Sequence, residues 1–472
     1  MSDGLREVLE LSGQSLAFDG TSVRVTNAPA FRRSVDKLVE LSALSSGNEA
    51  GWARFLIRAA ALELGIIPSS IQDFYMARGR GELERKFTVP AINLRALSFH
   101  AARAVFRAAA KLDAGALIFE IARSEIGYTG QRPSEYATNV LAAAIAENFM
   151  GPVFIQGDHF QVSAKRYGSD PERELQAVRD LAGEAIKAGF YNIDVDTSTL
   201  VDLGRPSTSE QQRLNFELSA EMSAFIRDHQ PEGITVSIGG EIGEVGGKNS
   251  TADELRAYMD GYNAELARRA PGQPGLSKIS IQTGTSHGGT VLPDGTIAQV
   301  NVDFETLRDL SIVARREYGL AGTVQHGAST LPESAFGKFV ESEAVEVHLA
   351  TNFMTMFYEH LPEALRRKVY TWLDANFQGD RKEGMTAEQF YYKTRKNAIG
   401  QFKSDFYGLQ APVLGDLEAA WEKQFEKLFG LLGLRGTRAD VDVLVKPVAV
   451  QPRLSDYVQE AAAAEDVSDL AD

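Results

Sequence analysis

Three stretches of this chain carry an apolar run onto a histidine. Pro152-Val153-Phe154-Ile155 leads through Gln156 and Gly157 to Asp158 and His159. Ile279-Ser280-Ile281 leads on to Thr285, Ser286 and His287, with Gly288-Gly289 behind them. Thr323-Val324-Gln325 ends on His326, followed by Gly327. The chain has 7 histidines, so three at the ends of β-forming runs is a concentration worth explaining. Neutral imidazole suits a borderline divalent ion such as zinc, and three protein ligands leave a position open for substrate. His159, His287 and His326 are therefore candidate metal ligands, with Glu241 as a fourth. One such histidine alone is more often a hydrogen-bonded core residue. Three at matching strand ends would each need that explanation independently.

Asp158, beside His159, is the acid/base candidate. A carboxylate within reach of a metal-held substrate moves a proton on and off carbon or oxygen. Its competing role is to orient a ligating histidine. Asp194 and Asp196 either hold a second metal or cap the segment that follows, and capping is the commoner use of such a pair. Gly288, Gly327, Ser329 and Thr351 form another group. Glycine turns with free N–H groups, a nearby hydroxyl and a helix start are the parts of a phosphate cradle.

These residues need elements to gather them. From residue 87 the chain alternates short apolar runs with amphipathic helices. Strands are expected at 87–93, 116–121, 152–159, 191–196, 234–242, 278–287, 323–326 and 344–351. Helices are expected at 133–148, 171–188, 209–229, 252–269 and 304–318, with another beginning at Asn352. A doubly wound sheet shares this rhythm, but eight strands with polar residues at nearly every end favour a (β/α)8 TIM barrel. Residues 1–85 read as a helical N-terminal extension, 86–375 as the catalytic barrel and 376–472 as a helical C-terminal extension. In the first, Pro68-Ser69-Ser70 reads as the cap of a short helix. In the last, Trp421, Phe425 and Leu428 share one helical face, and residues 460–472 read as a fraying end.

Composition narrows the classes. The 472 residues allow a large barrel with additions, and 44% hydrophobic residues allow a substantial core. A formal net charge of −15 argues against non-specific nucleic-acid or anionic-membrane partners. Cysteine is absent, so any zinc must be held by His, Asp or Glu. With no run of about 18 apolar residues and no basic-then-apolar leader, the expected location is the cytoplasm.

Those segments together resemble the class II, metal-dependent fructose-bisphosphate aldolase family, which includes tagatose-bisphosphate aldolases. The resemblance spans roughly residues 87 to 400. Gly157-Asp158-His159 resembles the family's catalytic Asp and first zinc His. Glu241-Ile242-Gly243-Glu244-Val245-Gly246-Gly247 resembles the segment of its metal-binding Glu. Thr285-Ser286-His287-Gly288 and Gln325-His326-Gly327-Ala328-Ser329 resemble its second and third zinc histidines with phosphate-binding residues. Asn93 matches a first-strand Asn, and Ser124 a substrate-contacting Ser. Tyr391-Tyr392-Lys393-Thr394-Arg395 is similar to a segment whose Arg reaches a neighbouring subunit's site and grips the distal phosphate.

The resemblance implies reversible aldol cleavage of a ketose (bis)phosphate to dihydroxyacetone phosphate and an aldehyde, as in glycolysis. It implies zinc or another divalent ion, leaves room for a monovalent cation, and points to a homodimer or higher homo-oligomer. Two departures stand out. Lys248-Asn249 follow Gly-Gly where the family carries acidic residues, which leaves Glu244 as a stand-in for the second acid/base group. His348-Leu349-Ala350-Thr351 stands where the family has Asn-x-Asp-Thr. Two rivals remain. A metal-dependent hydrolase would want a His-x-His pair after the first strand, where Asn93-Leu94-Arg95 offers none. A non-catalytic aldolase-like subunit or scaffold would have no reason to keep the histidines and Asp158.

Overall fold

The computed structural model describes residues 3–243, 248–284, 292, 302–458 and 469–470. Eight parallel strands close on one another: β1 (Val89–Asn93), β2 (Ile118–Ala122), β3 (Gly151–Gln161), β4 (Asn192–Asp196), β5 (Ser237–Glu241), β6 (Lys278–Ile281), β7 (Thr323–Gln325) and β8 (Glu346–Leu349). Each pairs in parallel with the next, and β8 pairs back onto β1 through Val347↔Pro90 and His348↔Ala91. With the helices that alternate with these strands, this is the expected (β/α)8 barrel. Apolar strand residues facing outward, such as Ile92, Phe119, Ile155 and Ile193, are buried under that helical layer.

The N-terminal segment is less purely helical than its periodicity suggests. Helices Ala28–Leu44 and Asn48–Glu63 form as expected, but a hairpin pairs Leu16–Phe18 with Val23–Val25. Pro68 and Ser69 do not start a helix. They end a strand, Ile66–Ser69, that pairs in parallel with the lower half of β3, from Ile66↔Gly151 to Ser69↔Phe154. It lies at the edge of the sheet, where a proline costs no ladder bond. The helix follows at Gln72–Gly79. Asn192, first in β4, secures the join. Its side chain accepts from Ile71 N at 2.9 Å and donates to Ser69 O at 3.2 Å and Ile155 O at 3.0 Å.

β3 is longer than expected and irregular. Gly157 pairs with Ile193 and Phe160 with Val195, so β3 spends three steps against two on β4. The extra residue is a bulge, with His159 at φ +39°. Strict alternation would have sent Asp158 and His159 to opposite faces. The bulge, rather than a strand end, lets both face inward.

At the C-terminal side, helix Ala411–Leu431 lies along helix Ser98–Leu112, burying Trp421, Phe425 and Leu428. His100, Arg103, Arg107 and Lys111 meet Glu418, Glu422 and Glu426 along that seam. Of the end read as fraying, Asp469 is described, and it bonds Arg166 and Ser163. Among the described residues no helix is long and apolar enough to cross a membrane.

Candidate metal centre

Charged residues sit inside otherwise apolar strands, and period-two alternation turns them inward together. Asp194 and Asp196 share a face of β4, Lys278 and Ser280 one of β6, and Glu346 and His348 one of β8. Six carboxylates are thus buried in the barrel: Glu120, Asp158, Asp194, Asp196, Glu241 and Glu346. The lysine there is Lys278, which pairs with Asp194 at 2.9 Å and with Glu346. Gly239 makes room for that pair, since a Cβ there would stand 2.3 Å from Asp194 Oδ1 and 2.8 Å from Lys278 Cε.

His159 Nε2 and His326 Nδ1 face each other at 3.0 Å. Two nitrogens bound about 2.0–2.1 Å from one tetrahedral ion stand roughly 3.3 Å apart, so this spacing is close to that of shared ligation. His159, His326 and Glu241 each offer a ligand atom within 4.8 Å of the others', while Glu241 Oε2 lies 3.4 Å from His159 Nδ1, the ring nitrogen turned away from His326. The other ring nitrogens are engaged. His159 Nδ1 meets Asp196 Oδ2 at 3.0 Å, and His326 Nε2 meets Ser280 Oγ at 3.0 Å. Asp196 is therefore the carboxylate that orients the histidine, the role weighed for Asp158. It also receives Ser198 N at 3.0 Å, which is the capping use foreseen for the pair.

The electrostatics suit a cation. Burial pushes Glu241 well above the usual carboxylate range, and Asp196 beside it adds to the rise. Burial alone would lower His159, but Asp158, Glu241 and Asp196 outweigh it and raise the imidazole well above its ordinary value. Burial likewise pushes Asp158 up, and the imidazoles of His159 and His348 more than reverse that. A water-poor pocket with this excess of carboxylate is one that a divalent ion would compensate.

Asp158 is held in place from its far side. Asn93 Nδ2 donates to Asp158 Oδ2 at 2.9 Å and to Glu125 Oε2 at 2.9 Å. Ser124 is buried in the first turn of helix Arg123–Thr129, directly after β2. Gly327, at φ +68°, turns the chain after β7. Ser329 and Thr351 do meet, but on each other: the Ser329 hydroxyl accepts from Ala350 N at 2.7 Å and Thr351 N at 3.2 Å. It thus caps helix Thr351–His360 in the position an anion would take. Arg395 lies in a cavity of about 950 Å³ on its own chain, together with Ser329, Thr355, Tyr358 and Tyr392. Its guanidinium donates to Thr355 Oγ1 at 2.6 Å and stacks 4.3 Å from the Tyr392 ring centre. His287, Gly288 and Glu244 lie outside the described residues.

His348, a departure from the family pattern in the sequence, stands in the same wall. Its ring centre lies 4.0 Å from that of His326, which in turn lies 4.2 Å from that of His159. The signal was available in Glu346-Val347-His348 and Ile118-Phe119-Glu120-Ile121, where polar residues interrupt buried runs.

A family model described as fructose-bisphosphate aldolase class-II matches residues 82–405, and the chain belongs to that family. No curated protein sequence matches it significantly. Among solved structures, a fructuronate-tagaturonate epimerase from Cohnella laeviribosi aligns with a TM-score of 0.57 at 12% identity, covering 91% of this chain and 99% of that one. A fructose-bisphosphate aldolase from Campylobacter jejuni aligns with a TM-score of 0.46 at 19% identity, covering 79% and 97%. A probable tagatose 6 phosphate kinase from Sinorhizobium meliloti aligns with a TM-score of 0.49 at 17% identity, covering 79% and 97%. At these identities the first likeness speaks to fold alone.

Proposed function

We propose that the chain is a divalent-metal enzyme, zinc being the first candidate, that reversibly cleaves a carbon–carbon bond in a phosphorylated ketose such as fructose 1,6-bisphosphate or tagatose 1,6-bisphosphate. The reading is carried by the 3.0 Å approach of His159 and His326 beside Glu241, with Asp158 inside the same wall. His159, Glu241 and His326 would hold the ion, with His287 as the remaining histidine of the set. When bound, such an ion supplies Lewis-acid polarisation of the ketose carbonyl. Asp158 takes the proton from the hydroxyl whose oxygen becomes the new carbonyl as the C–C bond breaks, and returns it in the reverse direction. Asn93 keeps that carboxylate turned toward the substrate. Arg395, in its tyrosine-lined cavity, is assigned an anionic group of the substrate. Residues 86–375 form the catalytic unit in this reading.

A second reading is favoured by the occupied helix start at Thr351 and by a fold likeness that extends over both additions. In it the two fragments rejoin within the site in the other configuration, so the net reaction is epimerisation of a ketose acid. The test is incubation with a panel of ketose phosphates, bisphosphates and ketouronates. Free aldehyde supports cleavage, and a new epimer without free fragments supports the second reading. Chelation should abolish either activity and zinc should restore it. Full activity in the chelated protein would refute both. Asp158→Ala should lose roughly 10²–10⁴-fold.

A further inference from the structure

We propose, resting on the assignment of Arg395 to an anionic group of the substrate, that this group is a phosphate and that Arg366 and Tyr370 bind it together with Arg395 and Thr330. All of them line one cavity of about 950 Å³. Arg395 is 6% exposed, and its Nε has no hydrogen-bond partner among the described residues. Thr330 Oγ1 is likewise shut from solvent and unpartnered. Arg366 and Tyr370 lie one turn apart on helix Glu363–Asn376, which puts both on one face. Among the described residues the Arg366 guanidinium makes no ion pair or hydrogen bond, and no carboxylate pairs with Arg395. Donors without acceptors, two of them cationic, call for an anion.

The donors are held ready. Arg395 Nη2 donates to Thr355 Oγ1 at 2.6 Å, the Tyr358 hydroxyl donates to Arg395 O at 2.7 Å, and the guanidinium stacks on Tyr392. Those contacts leave Nε for a ligand. Tyr370 is fixed through its ring, which stacks on Tyr391 with centres 4.0 Å apart and planes 7° from parallel. Tyr391 in turn donates to Asp374 Oδ2 at 2.8 Å. Burial pushes the Tyr370 phenol above its ordinary value, while Arg395 and Arg366 both act to lower it. The phenol thus keeps its proton at neutral pH and stands within electrostatic reach of both guanidiniums. The carboxylates of the cavity, Glu333, Glu359 and Glu388, are exposed, and Glu333 is taken by Lys427. A carboxylate ligand brings two oxygens and one charge. A phosphate brings three terminal oxygens and a charge of about −1.5 to −2, which matches two guanidiniums and two hydroxyls. The helix start at Thr351 does not compete for it, because Ser329 fills that position.

The probe is inorganic phosphate, added to the full chain stripped of metal so that none is held by an ion, with binding followed by the phosphorus NMR line width. The wild type should bind it saturably, and acetate at equal concentration should not displace it. Arg366→Met keeps the apolar stem and loses the charge, so binding should weaken roughly 10-fold or more. Tyr370→Phe should weaken it less, and Arg395→Met should abolish it. Arg366 is half-buried, so its variant serves if Arg395→Met fails to fold, with circular dichroism as the check. Unchanged binding in Arg366→Met overturns the proposal, as does displacement by acetate or the absence of saturable binding to the wild type. The reaction is read separately. A zinc-loaded chain that cleaves a ketose bisphosphate yet binds no phosphate here refutes this site alone. A chain that binds phosphate through Arg366 and Arg395 but acts on no member of the panel keeps this site and refutes the reaction.

Discussion

At the scale of single residues, the centre depends on side chains that touch no substrate. Asp196 fixes which way His159 turns, through the 3.0 Å contact at Nδ1. Asp196→Asn keeps the size but loses the charge, so metal affinity should fall roughly 10–100-fold with the fold intact. Calorimetry beside a thermal melt checks this; unchanged affinity would leave Asp196 a mere cap for Ser198. Asp158, His159, Glu241 and His326 were legible as candidates because each ends or interrupts an apolar run. Asp196 was singled out without its partner, since nothing in Asn192-Ile193-Asp194-Val195-Asp196 says which histidine it faces. His348 was visible only as a departure from a pattern. Its meaning needed the neighbours Glu120 and Asp158, which lie on other strands.

At the scale of elements, all eight barrel strands were legible, because a strand buried on both faces is a short apolar run between breakers. Their irregularities were not. The bulge at His159 leaves no mark in residue order, because it is set by pairing with β4. The strand Ile66–Ser69 was hidden by Pro68, which reads as a helix start and is tolerated because the strand is an edge. Gly239→Ala tests packing inside β5. The added methyl collides with the Asp194–Lys278 pair, and the expected cost is about 1–3 kcal/mol in denaturant unfolding.

The seam between helices Ser98–Leu112 and Ala411–Leu431 has its own pH dependence. Burial acts to raise Glu418, but His100, Arg103 and Arg107 outweigh it and hold the carboxyl below its ordinary value of 4.5. Glu422 is lowered in the same way, burial being outweighed by Lys111 and Arg107. Depressed carboxyls stabilise the folded state above the ordinary value, and that contribution is lost as pH falls through the lowered one. Trp421, buried on this helix with Nε1 donating to Phe353 O at 3.1 Å, reports the event. Its emission should shift to the red as pH falls below the ordinary carboxylate range. In Glu418→Gln/Glu422→Gln the pH dependence should flatten, at a cost near pH 7 of about 1 kcal/mol.

At the scale of the whole molecule, the N-terminal segment is part of the barrel wall. Asn192 is the join, and its side chain serves three backbone groups from two separate stretches of chain. Asn192→Ala leaves those groups buried and unpaired, and should cost on the order of 2–4 kcal/mol. A loss below about 0.5 kcal/mol, within the range of ordinary surface changes, would mean that the segment is held by apolar packing alone.

The cavity around Arg395 has a genetic consequence. Arg395 and Ser329 line one cavity of a single polypeptide. If the arginine serves its own copy, two defective alleles, one lacking the Asp158 carboxylate and the other the Arg395 guanidinium, should fail to rescue each other when co-expressed; if it serves a neighbouring copy, mixed assemblies should regain activity.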